Sequence, residues 1–219
     1  MLKYFNANQK KFLVKLEVIL SKRRLTQDQQ TDSVKNIIKN VKKNGDKALL
    51  NYERKFSKVK NKSKKICFSK KEINEISKNL EIRLKQSIDL AFRRIKKFHL
   101  KQKFAPFKFK DEFKNELSYN YSPIDRIGVY VPGGKASYPS TVLMNCIPAM
   151  VAGVKNIYLT TPTLATKVNP AIIYAAKKCG VKEIYKTGGA HSIAALTYGT
   201  KTFKKVDKIV GPGNSYVAA

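Results

Sequence analysis

Within residues 126–219 the chain three times places a short β-branched or apolar run ahead of a glycine turn, and a helix-like pattern follows each turn. The runs are Ile127-Gly-Val-Tyr-Val131 before Pro132-Gly-Gly134, Glu183-Ile-Tyr-Lys186 before Thr187-Gly-Gly189, and Lys208-Ile-Val210 before Gly211-Pro-Gly-Asn214. Strands alternating with helices of about ten or more residues imply right-handed βαβ units, and such units build a parallel sheet. In a parallel sheet all three turns fall on one edge. Glycine there lets backbone N–H groups and the next helix N-terminus approach a phosphate with no Cβ in the way, which is how open α/β sheets hold nucleotides. The chain reads as the nucleotide-binding half of something larger.

From residue 122 the expected order is strand 127–131, helix 140–153, strand 156–161, helix 170–179, strand 183–186, helix 191–199, strand 208–210 and the first turn of one more helix. The preceding part reads as mostly helical. Val34, Ile37, Ile38 and Val41 recur at helical spacing and the pattern stops at Gly45, a residue suited to a left-handed cap, after which Asp46 offers an N-cap for a second helix toward Phe56. Ser69-Lys-Lys-Glu72 matches a capping box, with Phe68 and Ile73 as its hydrophobic staple. A longer helix, about 84–101, is expected to bury Leu84, Ile88, Ala91 and Ile95 and to turn its arginines and lysines outward. Residues 116–121 alternate weakly like a strand between Pro106 and Pro123.

Composition narrows the class. A hydrophobic content of 42% can supply a core, and no apolar run approaches the ~18 residues of a membrane span. Residues 12–20 are interrupted by Lys15 and Glu17 and read as an amphipathic helix, so the chain is expected in the cytoplasm and not in a membrane. Cys67, Cys146 and Cys179 lack any Cys-x-x-Cys pairing, which leaves buried thiols as the expectation. The net charge is +30, with 33 Lys/Arg against 12 Asp/Glu in residues 1–120 and 12 against 3 in residues 121–219. Such an excess favours polyanions. Here the lysines are scattered through helical segments and not gathered beside stacking aromatics, so a solvated face is the better reading and nucleic acid is disfavoured as the main partner.

None of the turns is a complete fingerprint: there is no P-loop, and Gly211-Pro-Gly-Asn-Ser-Tyr216 has Tyr where a dinucleotide motif needs its third glycine. Their wording is more specific. Val131-Pro-Gly-Gly-Lys-Ala-Ser-Tyr-Pro-Ser140, Thr141-Val-Leu-Met-Asn-Cys-Ile-Pro-Ala149, Val151-Ala-Gly-Val154, Thr187-Gly-Gly-Ala190, Ile193-Ala-Ala-Leu196, Tyr198-Gly-Thr200 and Val206-Asp-Lys-Ile-Val-Gly-Pro-Gly-Asn214 closely resemble histidinol dehydrogenase. The resemblance is dense over 124–219 and thinner before, where Gly45-Asp46, Ala48-Leu49 and Tyr52 also fit.

The resemblance implies an α/β fold: residues 124–219 as a Rossmann-like NAD-binding domain lacking its C-terminal end, 26–123 as the first part of a mostly helical α/β catalytic domain, and 1–25 as an N-terminal helical segment. It implies oxidation of L-histidinol through histidinal to L-histidine with two NAD and a zinc ion, in a homodimer. Cofactor contacts carry over to Tyr130, to Asn214, and to His191, which stands where the family writes glutamine. The alternatives are an inactive fragment or a basic protein that binds anions or nucleic acid. The family's acid–base pair and zinc ligands are expected downstream of Ala219, so no catalytic or metal-binding residue is assigned in the chain. His99 is expected to be structural, near the carbonyl end of its helix. The terminal Ser215-Tyr-Val-Ala-Ala219 reads as the first turn of a helix that continues in the natural protein. With the rest absent, the stripe of Leu84, Ile88, Ala91 and Ile95 is expected to be left uncovered.

Overall fold

The computed structural model describes residues 7, 11–56, 65–133, 138–163 and 168–218, with the side chains of 20 and 22–30 excepted. Gly134 of the first expected turn, Lys135, Ala136 and Ser137 of the motif around it, and Ala219 lie outside the described residues. Four parallel strands form the centre: β3 (Arg126–Tyr130), β4 (Asn156–Thr160), β5 (Glu183–Tyr185) and β6 (Lys208–Val210), in the order β5-β4-β3-β6. The three helices between them are α4 (Pro139–Ala152), α5 (Pro170–Lys178) and α6 (Gly189–Tyr198), and α7 (Ser215–Ala218) follows β6. The expected strand and helix order is present, and the fold is α/β with a parallel sheet.

Alternation along the strands assigns the two faces. Ile127, Val129, Val131, Ile157, Leu159 and Ile184 join one buried cluster with α4 and α5, while Tyr158, Tyr185 and partly buried Ile209 join a second cluster with α6. Such residues read as near-continuous apolar runs because a parallel strand is covered on both sides. Since α4 and α5 lie on one face and α6 on the other, the winding reverses between β3 and β6. That reversal is where open α/β sheets bind ligands, outside the carboxyl ends of the strands.

The helical first half packs onto the same sheet. In α1 (Phe12–Phe56), Val34, Ile37, Val41, Ala48 and Leu49 are buried against Ala190, Ala194, Ala195 and Leu196 of α6, whose small residues allow close approach. The helical run breaks at Gly45 as expected: its φ of 51° and ψ of −130° are non-helical, and a kink there joins two helices, the second running on to Phe56. Asp46 is drawn to another partner: its carboxylate accepts from the Thr200 hydroxyl and, at 2.6 Å, from the Thr202 hydroxyl in the loop after α6. Helix α2 (Lys70–Lys78) begins with the expected capping box, Glu72 N–H donating to Ser69 Oγ at 3.2 Å and Ser69 N–H to Glu72 Oε2 at 2.7 Å.

Helix α3 (Ile82–Leu100) buries Ile88, with Ala91, Phe92 and Ile95 half-buried against the first cluster. The expected uncovered stripe is therefore mostly covered, and only Leu84, 38% exposed, sits at its rim. The covering surface comes from α4 and α5, which sequence patterning along α3 alone does not reveal; Asp89 pins the contact by pairing with Lys178 at 3.0 Å and accepting from the Tyr174 hydroxyl at 3.1 Å. Arg93, Arg94, Lys96 and Lys97 face solvent, and His99 meets Gln102 Oε1 at 2.6 Å near the helix end. Residues 107–119 add an antiparallel hairpin, β1 (Phe107–Lys110) with β2 (Glu116–Tyr119), whose first strand was not anticipated. Cys146 and Cys179 are buried, and Cys67 is only half-buried. No helix among the described residues is long and apolar enough to cross a membrane.

Candidate active site at the carboxyl edge of the sheet

The segments following β3, β4, β5 and β6 meet at one edge. Backbone hydrogen bonds zip their first residues together, Val131 N–H to Thr160 O at 2.9 Å and Thr161 N–H to Tyr185 O at 3.1 Å, while the Thr160 hydroxyl donates to Thr187 O at 2.6 Å. Pro162, just after β4, is wedged between the turns on either side. A Cβ on Gly188 would lie 2.7 Å from Pro162 Cβ, and one on Gly133 would collide with Pro162 Cγ. Gly211 has φ +133°, and a Cβ there would strike the carbonyl oxygen of Tyr130. Turn-to-turn packing thus suffices to require glycine at these positions.

Two of the three residues carried over for the cofactor are brought together. Tyr130 ends β3, is buried, and its hydroxyl accepts from Gly189 N–H at 3.3 Å. Burial, with the nearby Glu53 charge, outweighs that bond and pushes the phenol upward from its ordinary value, so it remains protonated and keeps its O–H proton as a donor. His191, in the first turn of α6, is 3% exposed, and its Nε2 lies 2.8 Å from Glu53 Oε1. Its ring sits against Tyr52 and Phe56, with centroids 5.6 and 5.9 Å away. Asn214 lies apart on the β6 turn and is exposed; its Oδ1 accepts from Tyr216 and Val217 N–H, which leaves its amide hydrogens available.

Glu53 has no counterpart in the sequence reading. One of its oxygens accepts the Thr187 hydroxyl at 2.5 Å and Gly188 N–H at 3.2 Å in addition to meeting His191. Its partners lie 134–138 positions away, so no local spacing could have flagged it. Thr161 also has no counterpart in the sequence reading: its hydroxyl is buried and has no partner among the described residues. Next to Thr187, Lys186 ties the turn to α2. It bonds Glu72 at 2.5 Å and lies over the Phe68 ring at 4.3 Å. Burial alone would raise the Glu72 carboxyl, but hydrogen bonds from Lys186 and Ser69 prevail and hold it at about 2.

Among the described residues, the Tyr130 hydroxyl and the Asn214 amide keep hydrogens of the kind that ribose and phosphate oxygens accept, while the Thr161 hydroxyl is enclosed beneath the surface. By contrast, no three His, Cys, Asp or Glu side chains gather among the described residues, so no zinc chemistry is derived from them. A groove of about 980 Å³ lies elsewhere, lined by residues such as Phe104, Tyr121, Met144 and Lys208 near the opposite ends of the strands.

A family model of histidinol dehydrogenase matches residues 20–219. The chain belongs to the histidinol dehydrogenase family. It is 52% identical to histidinol dehydrogenase of Pelagibacter ubique over 219 residues, all of this chain and 50% of that protein. It is 43% identical to the Rhodospirillum rubrum enzyme over 92% of this chain and 46% of that protein. The crystal structure of histidinol dehydrogenase from Elizabethkingia anophelis superposes with a TM-score of 0.81 at 42% identity, covering 85% of this chain and 43% of that one. The chain thus spans about half the length of the curated relatives it matches.

Proposed function

We propose that the chain forms the NAD-binding side of a histidinol dehydrogenase that oxidises L-histidinol through histidinal to L-histidine in the cytoplasm, as a homodimer. The carrying observation is the placing of the Tyr130 hydroxyl and the Asn214 amide at the carboxyl edge of the sheet, beside the reversal between β3 and β6. NAD held there would supply the hydride acceptor for the two oxidations. The chain's own residues would hold and orient it: Tyr130 donates through its hydroxyl, Asn214 through its amide, and His191 and Glu53 fix the β5–α6 turn that positions Tyr130.

On this reading the 124–219 region is the cofactor domain and 26–123 begins the catalytic one. Proton transfer from the alcohol and the zinc ligands belong to residues outside these 219, and the chain by itself is inactive. Calorimetric titration of NAD tests the binding claim. Tyr130→Phe and Asn214→Ala are each expected to weaken binding a few-fold to tenfold, as for one lost hydrogen bond of about 0.5–1.5 kcal/mol. Absence of binding to the chain, or wild-type affinity in both variants, would refute it; NADH formation from histidinol by the isolated chain would refute the division of labour.

A further inference from the structure

Helix α6 begins at the edge where an open α/β sheet ordinarily offers a helix N-terminus to a ligand's phosphate. Here that place is already taken. The carboxylate of Glu53, reaching over from α1, accepts from the Thr187 hydroxyl and from Gly188 N–H and meets His191 Nε2, three groups of the α6 start converging on one oxygen. The next amide, on Gly189, is taken by the Tyr130 hydroxyl. Glu53 is only 8% exposed, and Tyr52 and Phe56 of its own helix close over the His191 ring.

We infer that Glu53 is an internal anion that occupies the phosphate position at the α6 N-terminus, so that this turn is a carboxylate site built into the fold and not a cradle for the cofactor's diphosphate. The geometry explains why a histidine serves at position 191. A ring N–H directed at a buried carboxylate strengthens a charge-assisted bond, and the flat imidazole fits between two aromatic rings. It also assigns Glu53 a positioning role: the carboxylate holds Gly188, and the adjacent Gly189 holds the Tyr130 hydroxyl. Only this last consequence rests on the cofactor reading given above. The occupancy of the site by Glu53 does not.

The test is chemical rescue followed by urea unfolding of the full chain, which requires no cofactor. Glu53→Ala empties the carboxylate position while leaving its donors in place, and should lower the unfolding midpoint by about 1 M urea. Formate, small enough to enter the vacated space, should restore about half of that loss saturably, whereas chloride at equal ionic strength should not. Formate should leave the wild type unmoved, and adding His191→Ala should weaken the rescue. Glu53→Gln keeps the shape but removes the charge, and should lose about 0.5 M; this variant decides the matter alone if Glu53→Ala does not fold. Wild-type midpoints for Glu53→Gln, or equal effects of formate and chloride on a folded Glu53→Ala, would overturn the inference. NAD titration of the wild type reports separately on the cofactor reading.

Discussion

Gly128 lies in the middle of β3 with its missing side chain facing α6. A Cβ there would sit 2.9 Å from Leu196 Cδ1, 3.3 Å from Leu196 Cδ2 and 3.2 Å from Val206 Cγ2. Leu196 is 0% exposed, so it has no free space into which to withdraw. Gly128→Ala should therefore overpack the site at a cost of about 1–3 kcal/mol, reduced by the roughly 0.5–1 kcal/mol gained when a strand glycine becomes alanine. Leu196→Ala should cost about 2–5 kcal/mol, for lost burial and the remaining cavity. In the double variant the new methyl points at the vacated volume and the clash is gone. Its destabilisation should fall short of the summed single effects by about 1–3 kcal/mol, well beyond the ~0.5 kcal/mol within which independent sites add. Urea denaturation followed by far-UV circular dichroism on all four proteins measures the cycle. Additivity, or a neutral Gly128→Ala, would show that α6 does not rest on β3 at this point.

Glu72 should contribute stability that is fully present above its unfolded value of about 4.5 and is lost as pH falls toward the folded value of about 2. Its side chain is 37% exposed, and solvent screening keeps the contribution to about 0.5–1 kcal/mol; the advantage of wild type over Glu72→Gln in urea unfolding should accordingly shrink from pH 6 to pH 3, and a constant gap would refute the Lys186–Glu72 tie. Gly180 and Gly211 both have positive φ, but a Cβ at Gly180 meets nothing within 4 Å while one at Gly211 meets the Tyr130 backbone. Alanine at 180 should cost only about 1–2 kcal/mol of backbone strain, and alanine at 211 should in addition detach β6 from β3, seen as faster amide exchange at Ile209 and Val210; equal exchange in the two variants would contradict the contact.

The elements legible in the sequence were those written in neighbouring residues. The capping box at Ser69 and Glu72, the β-branched runs at 127–131 and 156–160 and the glycine turns all carry local signals, and they place the strands and the edge at which the turns meet. What stayed hidden depends on residues far apart in the chain. Gly45 ends one helix and lets the next begin, as its local signal says, but the partner of Asp46, the Thr202 hydroxyl, lies 156 positions away and leaves no trace in the neighbouring residues. The alternation in β2 was faint because both strands of its hairpin are exposed on both faces. His191 stands beside a glycine turn, which suggested a ligand contact, and only the arrival of Glu53 from α1 shows what its ring nitrogen meets.

Pro162 gives the candidate site a mechanical property. One rigid ring is in contact range of the positions above both Gly133 and Gly188, so the turns after β3 and β5 share a single spacer. Neither can shift toward the other without displacing it. The distance between the Gly133 and Gly188 backbones is therefore set when the sheet folds, and if NAD binds beside them as proposed, these two positions have little ordering left to undergo. The same rigidity makes the spacing transmissible: a larger residue beside the ring would move both turns together, and alter how Tyr130 and Gly188 stand relative to whatever lies between them.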